Sequence, residues 1–379
     1  MNNITQKLIA WMKKEVVLSA ALVLAAASMF LQPPDREYGG YIDWNTLILL
    51  FCLMAVMAGF QKLGIFQRVG NRLLSSIHNT RQLMGVLVFL PFFFSMLITN
   101  DVSLITFVPF AIVVLRMSGK VHLLILVVVM QTLAANLGSI LTPVGNPQNL
   151  YLYAQSGMAL GRFLLLMLPY AVLSGICLFF VILMQKKEAV DYLPDENRKC
   201  GKSQKIYLIC YSLVFILCLL SVAKQLKPGY LMIIVLVFLY VADRGIFGKI
   251  DYSLLGTFAG FFIFIGNIGR VQGFREILEK VLVGHETIAA VLSSQVISNV
   301  PAALLLSGFT DKWESLIIGT NLGGLGTLIA SMASLISYKQ IAQEYPRWKG
   351  KYFACFTVAN IGMLAILLAA YFLLSKSVL

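Results

Sequence analysis

Charged residues are scarce in this chain of 379 residues, in which Asp, Glu, Lys and Arg together make up only 12%. A soluble domain carries about 25% charged residues. The chain is instead 59% hydrophobic, and its mean hydropathy is +0.83. This composition excludes an ordinary soluble protein and predicts an integral membrane protein of the all-α class.

Patterns that carry enzyme chemistry or bind metals are also missing from the sequence. The three histidines are scattered, the six cysteines form no CxxC pair, and no HExxH motif occurs. Cysteines within apolar runs are usually small packing residues. We therefore expect no metal centre built from these residues, no disulfide and no cofactor, and we do not expect an enzyme.

Basic residues exceed acidic ones, 30 against 17, which gives a net charge of +13. In a soluble protein such an excess indicates nucleic-acid binding. In a membrane protein, Lys and Arg collect in cytoplasmic loops and contact anionic lipid. The sequence therefore predicts membrane lipid, and no nucleic acid, as a partner.

Long apolar runs are abundant, and we interpret each as one membrane crossing. The first run follows Lys13 and Lys14, a pattern that also fits a signal peptide. Because the rest of the chain spans the membrane repeatedly, we expect an uncleaved first helix in a bacterial inner membrane, with a cytoplasmic N-terminus. Regions 121–154 and 313–342 are typical of crossings that are interrupted in the middle. About nine crossings result, the uninterrupted ones at 15–32, 43–60, 163–184, 206–223, 229–242, 251–269 and 352–375.

Two further apolar stretches, 82–115 and 287–310, differ in the charges of their flanks. The flanks of the first hold six basic residues and no acid, so both of its ends are expected on the cytoplasmic side. The flanks of the second hold four basic and five acidic residues, so both of its ends are expected outside. The two stretches should therefore enter and leave the membrane from opposite sides.

The lengths of these stretches indicate what they form. The arms 287–298 and 300–310 of the second stretch contain 12 and 11 residues. Each arm reaches about 18 Å, roughly half of a bilayer core, so the stretch predicts a re-entrant helical hairpin. The first stretch has longer arms, and two full crossings remain an alternative to a hairpin there.

The two halves of the chain match as an inverted repeat. DWNTL at 43 matches DYSLL at 251, and ITND at 98 matches ISNV at 297. The fifteen residues from Asn136 match those from Asn321 with five identities. Inverted repeats with interrupted helices are typical of secondary transporters, whose site lies at the membrane midplane. We expect an N-terminal half at 1–184, a cytoplasmic linker at 185–205 and a C-terminal half at 206–379.

Glycines and prolines interrupt the two matched helices. Non-helical backbone at membrane depth has to line a polar cavity or be buried in protein, because lipid cannot satisfy its polar groups. Freed carbonyls suit a cation, and the N-termini of half-helices suit an anion. A kink or close helix packing is the alternative role. The residues expected to unwind the helices are Gly138, Pro143, Gly145 and Pro147 in the first and Gly323, Gly324 and Gly326 in the second.

Asp101 is the only ionisable residue within 82–115. A charge at membrane depth is costly and usually functional. In a re-entrant hairpin, Asp101 lies near the midplane beside Asn100, where it would bind Na+ or exchange a proton. In two full crossings it would lie in an external turn. Because Val300 occupies the matching position, we expect the coupling ion to bind asymmetrically, with Na+ held by Asn100, Asp101 and Asn299.

The motifs TND and SNV-P at the paired tips, with NLG…TP-G and NLG…T…S beyond them, resemble the ion transporter superfamily. Within it the chain is most similar to the arsenite permease and Na+/H+ antiporter branch, and more distantly to the divalent anion/Na+ symporters. The resemblance spans residues 43–345. It implies a homodimer in which a transport domain moves against a scaffold like an elevator.

In the anion symporters, a Ser-Asn-Thr motif at each tip contacts the substrate carboxylate and helps to form a sodium site. The resemblance places residues 99–101 and 298–300 at these tips, and Asp101 departs from the motif. The prediction is a cation-coupled (Na+ or H+) secondary transporter of a small anion or oxyacid. Arsenite or antimonite efflux and Na+/H+ exchange are the alternatives within the class, and an ion channel is the alternative outside it.

The candidate residues for binding substrate and ions lie at the two hairpin tips and in the two interruptions. We expect no catalytic residue among them, and the coupling ion is Na+ or H+. The candidates are Thr99, Asn100, Asp101, Asn136, Gly138, Thr142, Gly145, Asn146, Asn149, Ser298, Asn299, Asn321, Gly323, Gly324, Thr327, Ser331 and Ser334.

Overall fold

The computed structural model describes residues 15–190 and 202–377. Within these ranges the protein is almost entirely helical, and the only β-pairing is an isolated bridge between Asn79 and Ala189. This confirms the all-α prediction. Lys13 and Lys14, Cys200 and most of the expected linker lie outside the described residues.

Nine helices make up the first half of the described chain. They are α1 (Val16–Ser28), α2 (Tyr38–Tyr41), α3 (Trp44–Lys62), α4 (Ile65–Leu74), α5 (Thr80–Phe94), α6 (Asn100–Met117), α7 (Leu124–Gly138), α8 (Pro147–Ser156) and α9 (Leu160–Leu183). Short 3-10 turns connect some of them, notably Ser139–Leu141 and Pro143–Gly145 between α7 and α8.

Nine further helices make up the second half of the described chain. They are α10 (Lys202–Val222), α11 (Pro228–Ala242), α12 (Tyr252–Gly269), α13 (Gln272–Leu282), α14 (Glu286–Ile297), α15 (Asn299–Ser307), α16 (Trp313–Leu322), α17 (Met332–Glu344) and α18 (Lys349–Ser377). Across both halves of the described chain, seven helical segments are long and apolar enough to cross a membrane.

Both expected hairpins and both expected interruptions are present. In the first hairpin, α5 and α6 contain 15 and 18 residues, and in the second, α14 and α15 contain 12 and 9. At about 1.5 Å per residue, the arms of the first reach about 22 and 27 Å, so that hairpin is the deeper one. The helix breaks fall at 139–146 and 323–331.

Two glycines that we expected to unwind the interrupted helices do not do so. Gly138 has φ −69° and ψ −44°, and Gly323 has φ −62° and ψ −17°, so both keep right-handed helical backbone. A Cβ on Gly138 would lie 1.9 Å from the carbonyl oxygen of Phe92, and one on Gly323 would lie 2.6 Å from Ser294 Oγ. These glycines let each interrupted helix approach its own hairpin, as in close helix packing.

Helices outside the hairpins and interruptions pack into two groups. Helix α1 lies along α12, where Ala21 is completely buried and a Cβ on Gly260 would lie 3.1 Å from the Ala21 Cβ. Helices α10 and α11 lie against α3, and Tyr211 fills the space left by Gly59. Each opening helix, α3 or α12, therefore packs against helices from the other half of the chain.

The hairpins and interrupted helices of the two repeats interlock. Helix α8 of the first repeat packs against α15 and α16 of the second, and α17 of the second packs against α6 and α7 of the first. Tyr151 on α8 lies 2.9 Å from Ser307 on α15, hydroxyl to hydroxyl. Arg116 at the end of α6 forms a 2.8 Å salt bridge with Glu344 at the end of α17. These eight helices, α5–α8 and α14–α17, are called the interlocked body below.

The two opening helices begin in the same way, as the DWNTL and DYSLL match predicts. Asp43 caps α3 by accepting a hydrogen bond from the amide of Thr46, and Asp251 caps α12 by accepting one from the amide of Leu254. Such side-chain caps satisfy amides that an α-helix leaves unpaired at its start. The inverted repeat is therefore visible in local hydrogen bonding as well as in sequence.

Candidate functional site

Asn136 lies at the centre of a buried polar cluster that joins the two repeats. Its Oδ1 accepts hydrogen bonds from Asn100 Nδ2 at 2.9 Å and from Ser331 Oγ at 3.1 Å. Its Nδ2 donates to Ser334 Oγ at 3.3 Å. The four side chains come from the first hairpin tip, the first interrupted helix and the second interrupted helix, and all four are at least 94% buried.

A second contact between the interrupted helices mirrors the first. Asn321 donates from Nδ2 to Asn149 Oδ1 at 2.6 Å. In the repeat alignment Asn321 matches Asn136 and Asn149 matches Ser334. In each interrupted helix, the asparagine near the end of the first arm (Asn136 on α7 or Asn321 on α16) thus forms a hydrogen bond with the second arm of the opposite interrupted helix (α17 or α8). This reciprocal pair supports the alignment that the sequence suggested.

Each interruption is also hydrogen-bonded to its own hairpin. Thr142 donates from Oγ1 to the carbonyl oxygen of Met96, and Thr327 donates from Oγ1 to that of Gln295 at 3.2 Å. Thr142 matches Thr327, and Met96 matches Gln295. The two threonines therefore position the loops against the hairpins rather than facing a shared site.

Four helix N-termini lie in this region. Helix α6 begins at Asn100, α15 at Asn299, α8 follows Asn146, and α17 follows Ser331. The first amides of a helix have no partner within the helix, and the helix dipole adds partial positive charge there. Convergent N-termini consequently favour an anion or a polar oxyacid beside them.

Asp101 lies next to the cluster, in a cavity of about 180 Å³ between α3 and the interlocked body. Its amide donates to Asn100 Oδ1 at 2.9 Å, and its side chain lines the cavity with Thr99 and Asn146. Asn100 is only 4% exposed, so its side chain is enclosed by protein, whereas Leu97 at the same tip is 49% exposed. The re-entrant path of this stretch stays a prediction.

The cavity extends toward one face of the protein. Gln61, Lys249 and Asp251 line it together with Asp101, and both Lys249 and Asp251 are exposed. Lys62 lies beside Gln61 and forms a 2.8 Å salt bridge with Asp243. We name this side of the molecule the Lys62 face. The cavity therefore leads from the Lys62 face to Asp101, with polar groups at its two ends and mostly apolar walls between them.

Two buried amide oxygens in the interruptions have no hydrogen-bond partner among the described residues. They are Asn146 Oδ1 and Asn321 Oδ1, whose side chains are 3% and 4% exposed. The Asn146 amide nitrogen is engaged, since it donates to Ser139 Oγ at 2.7 Å. Buried acceptors are normally satisfied, and oxygen ligands suit hard cations. These oxygens are thus free for an ion or a polar solute.

The second hairpin tip is built differently from the first. Ser298 has φ +74°, a left-handed conformation that is rare for a residue with a side chain. The amide of Asn299 donates to the carbonyl oxygen of Ala330 at 3.0 Å, and Ser298 Oγ lies 3.4 Å from Asn299 Oδ1. Asn299 Nδ2 also lies beside Gly324, where a Cβ would approach it to 3.0 Å. Asn299 therefore faces its own interruption, and no hydrogen bond in the described chain joins it to Asn100 or Asp101.

Sequence reasoning missed Gln295, which organises the second interruption. Its Nε2 donates to the carbonyl oxygens of Gly323 and Leu325, each at 2.9 Å, and its Oε1 accepts from the amide of Thr327 at 2.9 Å. Gly326 at φ +104° supplies the turn around it. The signal was present, because a glutamine in a 12-residue apolar arm needs polar partners.

Ser139 and Gly145 show how tightly the first interruption is closed. Asn149 Nδ2 lies 3.4 Å from the carbonyl oxygen of Ser139, and a Cβ on Gly145 would lie 2.2 Å from that oxygen. Pro147 is the first residue of α8, where its missing amide hydrogen costs nothing, so it starts a helix and does not unwind one. Thus the proline and glycine positions shape the loop, while the asparagines carry its polar contacts.

The paired hairpins, interrupted helices and apolar crossings define a multi-pass membrane transporter of the inverted-repeat type. Residues 7–310 match the family described as "Citrate transporter" (CitMHS). The chain belongs to this family, which lies within the ion transporter superfamily, and the superfamily resemblance is confirmed. Its members are transporters and not enzymes, which confirms that expectation.

Individual relatives agree with this assignment. A transporter of Methanocaldococcus jannaschii is 33% identical over 299 residues, which cover 79% of this chain and 81% of the relative. The inner membrane protein YbiR of Escherichia coli is 29% identical over 336 residues, 86% of this chain and 88% of the relative. The silicon efflux transporter LSI3 of Oryza sativa is 32% identical over 153 residues, 40% of this chain and 30% of the relative.

Proposed function

We propose that the protein is a cation-coupled secondary transporter of a small anion or oxyacid, with its site between the first hairpin tip and the two interruptions. The observation that carries the proposal is the cluster centred on Asn136. Because Asn136 connects both repeats, a solute or ion bound beside it would contact the first hairpin tip and both interrupted helices.

The chemistry of the cluster favours a solute recognised by hydrogen bonds. Its side chains are neutral amides and hydroxyls, and four helix N-termini supply partial positive charge without a full charge. Such a site suits a compact oxygen-rich solute, whether anionic or neutral. The family name points to citrate, and the rice relative carries silicon in its name. Both solutes, with arsenite and antimonite, are therefore the first to test.

Asp101 supplies the coupling in this proposal. A carboxylate in a cavity beside an unpaired amide oxygen, Asn146 Oδ1, can bind Na+ or take up a proton. An ion held by Asn100, Asp101 and Asn299 together stays part of the proposal, with Asn299 approaching from the opposite interruption. Na+/H+ exchange or arsenite efflux is the second candidate, and the acidic side chain at the first tip favours it.

An elevator-type movement in a homodimer also belongs to the proposal. The interlocked body contains both hairpins and both interruptions, tied across the repeats at Tyr151–Ser307 and Arg116–Glu344, so it is suited to move as one unit. The groups around α3 and α12 would then form the scaffold. A bacterial inner membrane is the proposed location, in keeping with the name of the Escherichia coli relative, inner membrane protein YbiR.

Uptake into proteoliposomes tests the proposal. Radiolabelled citrate, arsenite, antimonite and silicate are offered singly, each with an inward Na+ gradient, an inward proton gradient or no gradient. We expect accumulation of at least one solute that depends on one gradient. If no member of the panel moves in either direction under any gradient, while the reconstituted protein remains folded, the proposed solute class is wrong.

A further inference from the structure

Asp43 and Asp251 are matched caps that lie on opposite faces of the protein. Helix α3 separates Asp43 from Lys62 by 19 residues, about 28 Å. Lys62 is bridged to Asp243, which a short 3-10 segment connects to Asp251. Asp251 thus belongs to the Lys62 face, and Asp43 to the other side, which we name the Asp43 face.

On the Asp43 face, the cap is bonded to the interlocked body. Asp43 Oδ2 accepts a hydrogen bond from Gln155 Nε2 of α8 at 3.0 Å, and α3 packs against α8. Lys224, between α10 and α11, reinforces this contact. Its Nζ lies 5.0 Å from the ring centroid of Tyr153 and donates to the carbonyl oxygen of Met158 at 3.3 Å. The scaffold and the interlocked body are therefore in contact on this face.

On the Lys62 face, the matching hydrogen bond, between Asp251 and a glutamine of α17, is not formed in the described chain. The alignment that pairs Asn136 with Asn321 also pairs Gln155 with Gln340 on α17. Gln340 makes no side-chain hydrogen bond among the described residues, so its Nε2 can donate to a carboxylate, and Asp251 is exposed. Asp251 uses Oδ1 to cap α12, and no hydrogen bond to Gln340 is present within the described chain. Asp251 also lines the cavity that reaches Asp101.

We propose that Asp43–Gln155 and Asp251–Gln340 are alternating gate contacts, so that one forms when the other breaks and access to Asp101 changes face. The inference rests on the proposed transport function and adds the positioning residues that control access. In an inverted-repeat protein, the conformation of one repeat in one state is adopted by the other repeat in the opposite state. The first repeat has its cap–glutamine bond and the second does not, as such an exchange requires.

The rate at which a cysteine in the cavity is labelled tests whether each contact favours or opposes access to the cavity from the Lys62 face. Met57→Cys, in a background without the six native cysteines, places a thiol in the cavity wall. Gln155→Leu removes the contact present here, and we expect labelling by a maleimide to slow by about threefold or more, the effect of losing one hydrogen bond. Gln340→Leu removes the opposite contact, and labelling should become faster. Gln185→Leu, in a loop away from both contacts, is the matched control and should change nothing.

Cross-linking tests the reciprocity directly. Cysteine pairs at 43/155 and at 251/340 are joined by a short bismaleimide, and the linked peptides are quantified by mass spectrometry. We expect the 251/340 yield to rise, and the 43/155 yield to fall, when Lys224→Ala weakens the Asp43 face. A pair at 62/243, within the scaffold, should cross-link equally in every background.

The gate inference is overturned if the 251/340 pair never cross-links while the 62/243 pair does, or if both leucine variants shift labelling in the same direction. Neither readout needs a solute. If no solute of the uptake panel is transported but the two cysteine pairs cross-link reciprocally, the proposed solute class is rejected and the gate inference stands. Gradient-driven uptake with unchanged labelling in both variants would reject the gate and keep the transport function.

Discussion

Asn136 uses both of its amide atoms, since Oδ1 accepts from Asn100 and Ser331 and Nδ2 donates to Ser334. Truncation of a buried amide with several partners is costly, because each partner left without a hydrogen bond still carries the desolvation free energy of its burial. The residue therefore holds the first hairpin tip and the second interruption in one arrangement.

Asn136→Ala should lower the transport rate by at least about tenfold, because removal of a buried hydrogen-bond partner costs about 1–3 kcal/mol for each group left unpaired. Initial rates of uptake in proteoliposomes, normalised to reconstituted protein, measure the effect. Asn360→Ala is the control, since Asn360 is equally buried but bonds only within α18. Equal losses in the two variants would show that the effect is one of folding and not of the site.

Asp101→Asn should abolish the dependence of uptake on the coupling gradient while solute exchange at equilibrium continues. The asparagine side chain has the same shape as the aspartate side chain, and the backbone amide of residue 101 still donates to Asn100 Oδ1. The substitution removes only the charge that binds a cation. Counterflow and gradient-driven uptake are compared in the same vesicles. Asp311→Asn, in a loop at the far end of α15, serves as the control; unchanged gradient dependence in Asp101→Asn would reject the coupling role.

At the scale of helices, the interruptions are held by close approach as well as by hydrogen bonds. Gly138 and Gly323 occupy matched positions, each pressed against its own hairpin. The identity of the two residues could be read from the sequence, but their function could not. A glycine that unwinds a helix and a glycine that admits a neighbouring backbone look alike in a single sequence, and only φ and the neighbouring atoms distinguish them.

Gly138→Ala should destabilise the protein by about 1–3 kcal/mol or more, since the added methyl group would overlap the Phe92 carbonyl and the packed hairpin has to move. Gly323→Ala should have a smaller effect, because the nearest atom is a serine hydroxyl. Melting temperatures in detergent measure both. Gly362→Ala in α18 has no atom within 4 Å and should be neutral or slightly stabilising; a comparable loss there would contradict the packing explanation.

A short strap, residues 185–190, holds the base of the first hairpin. Thr80 donates its amide to the carbonyl oxygen of Glu188, and the amide of Val190 donates to that of His78. Lys120 at the end of the hairpin donates to the Glu188 carboxylate at 2.6 Å and lowers the pKa of that carboxyl below its ordinary value of 4.5. The part of the linker that is described therefore fixes the hairpin and does more than connect the halves.

Glu188→Gln should lower the melting temperature at pH 7, and its difference from wild type should shrink as the pH falls below 4.5. A carboxyl whose pKa is depressed in the folded state stabilises that state above the unfolded pKa and loses its contribution as pH falls through the folded pKa. Melting temperatures of wild type and variant, measured from pH 7 downward, check this. Glu276→Gln on α13 is the control, and a difference between Glu188→Gln and wild type that does not shrink with falling pH would contradict the ion pair as its cause.

At the scale of the whole molecule, the sequence predicted the class, the helical hairpins, the interruptions and the matched starts of α3 and α12, because apolar length and repeated motifs are visible in one chain. Four of the asparagines named from the sequence, Asn100, Asn136, Asn149 and Asn321, form two buried contacts in the structure, and their role in binding stays a prediction. It did not predict the role of Gln295, although a glutamine in an apolar arm needs polar partners. It did not predict the contact of Gln155 with Asp43 either, because that contact depends on how α8 packs against α3, which no spacing within the sequence reveals.

Accumulation against a concentration gradient in proteoliposomes tests the central claim most directly, namely that the cluster at Asn136 and Asp101 couples a cation to solute movement. With an imposed Na+ or proton gradient, we expect internal solute to rise above the external concentration in wild type. In Asp101→Asn we expect only equilibration. Solute that merely equilibrates in wild type under both gradients, with a flux unaffected by Asp101→Asn, would indicate a channel and not a coupled transporter.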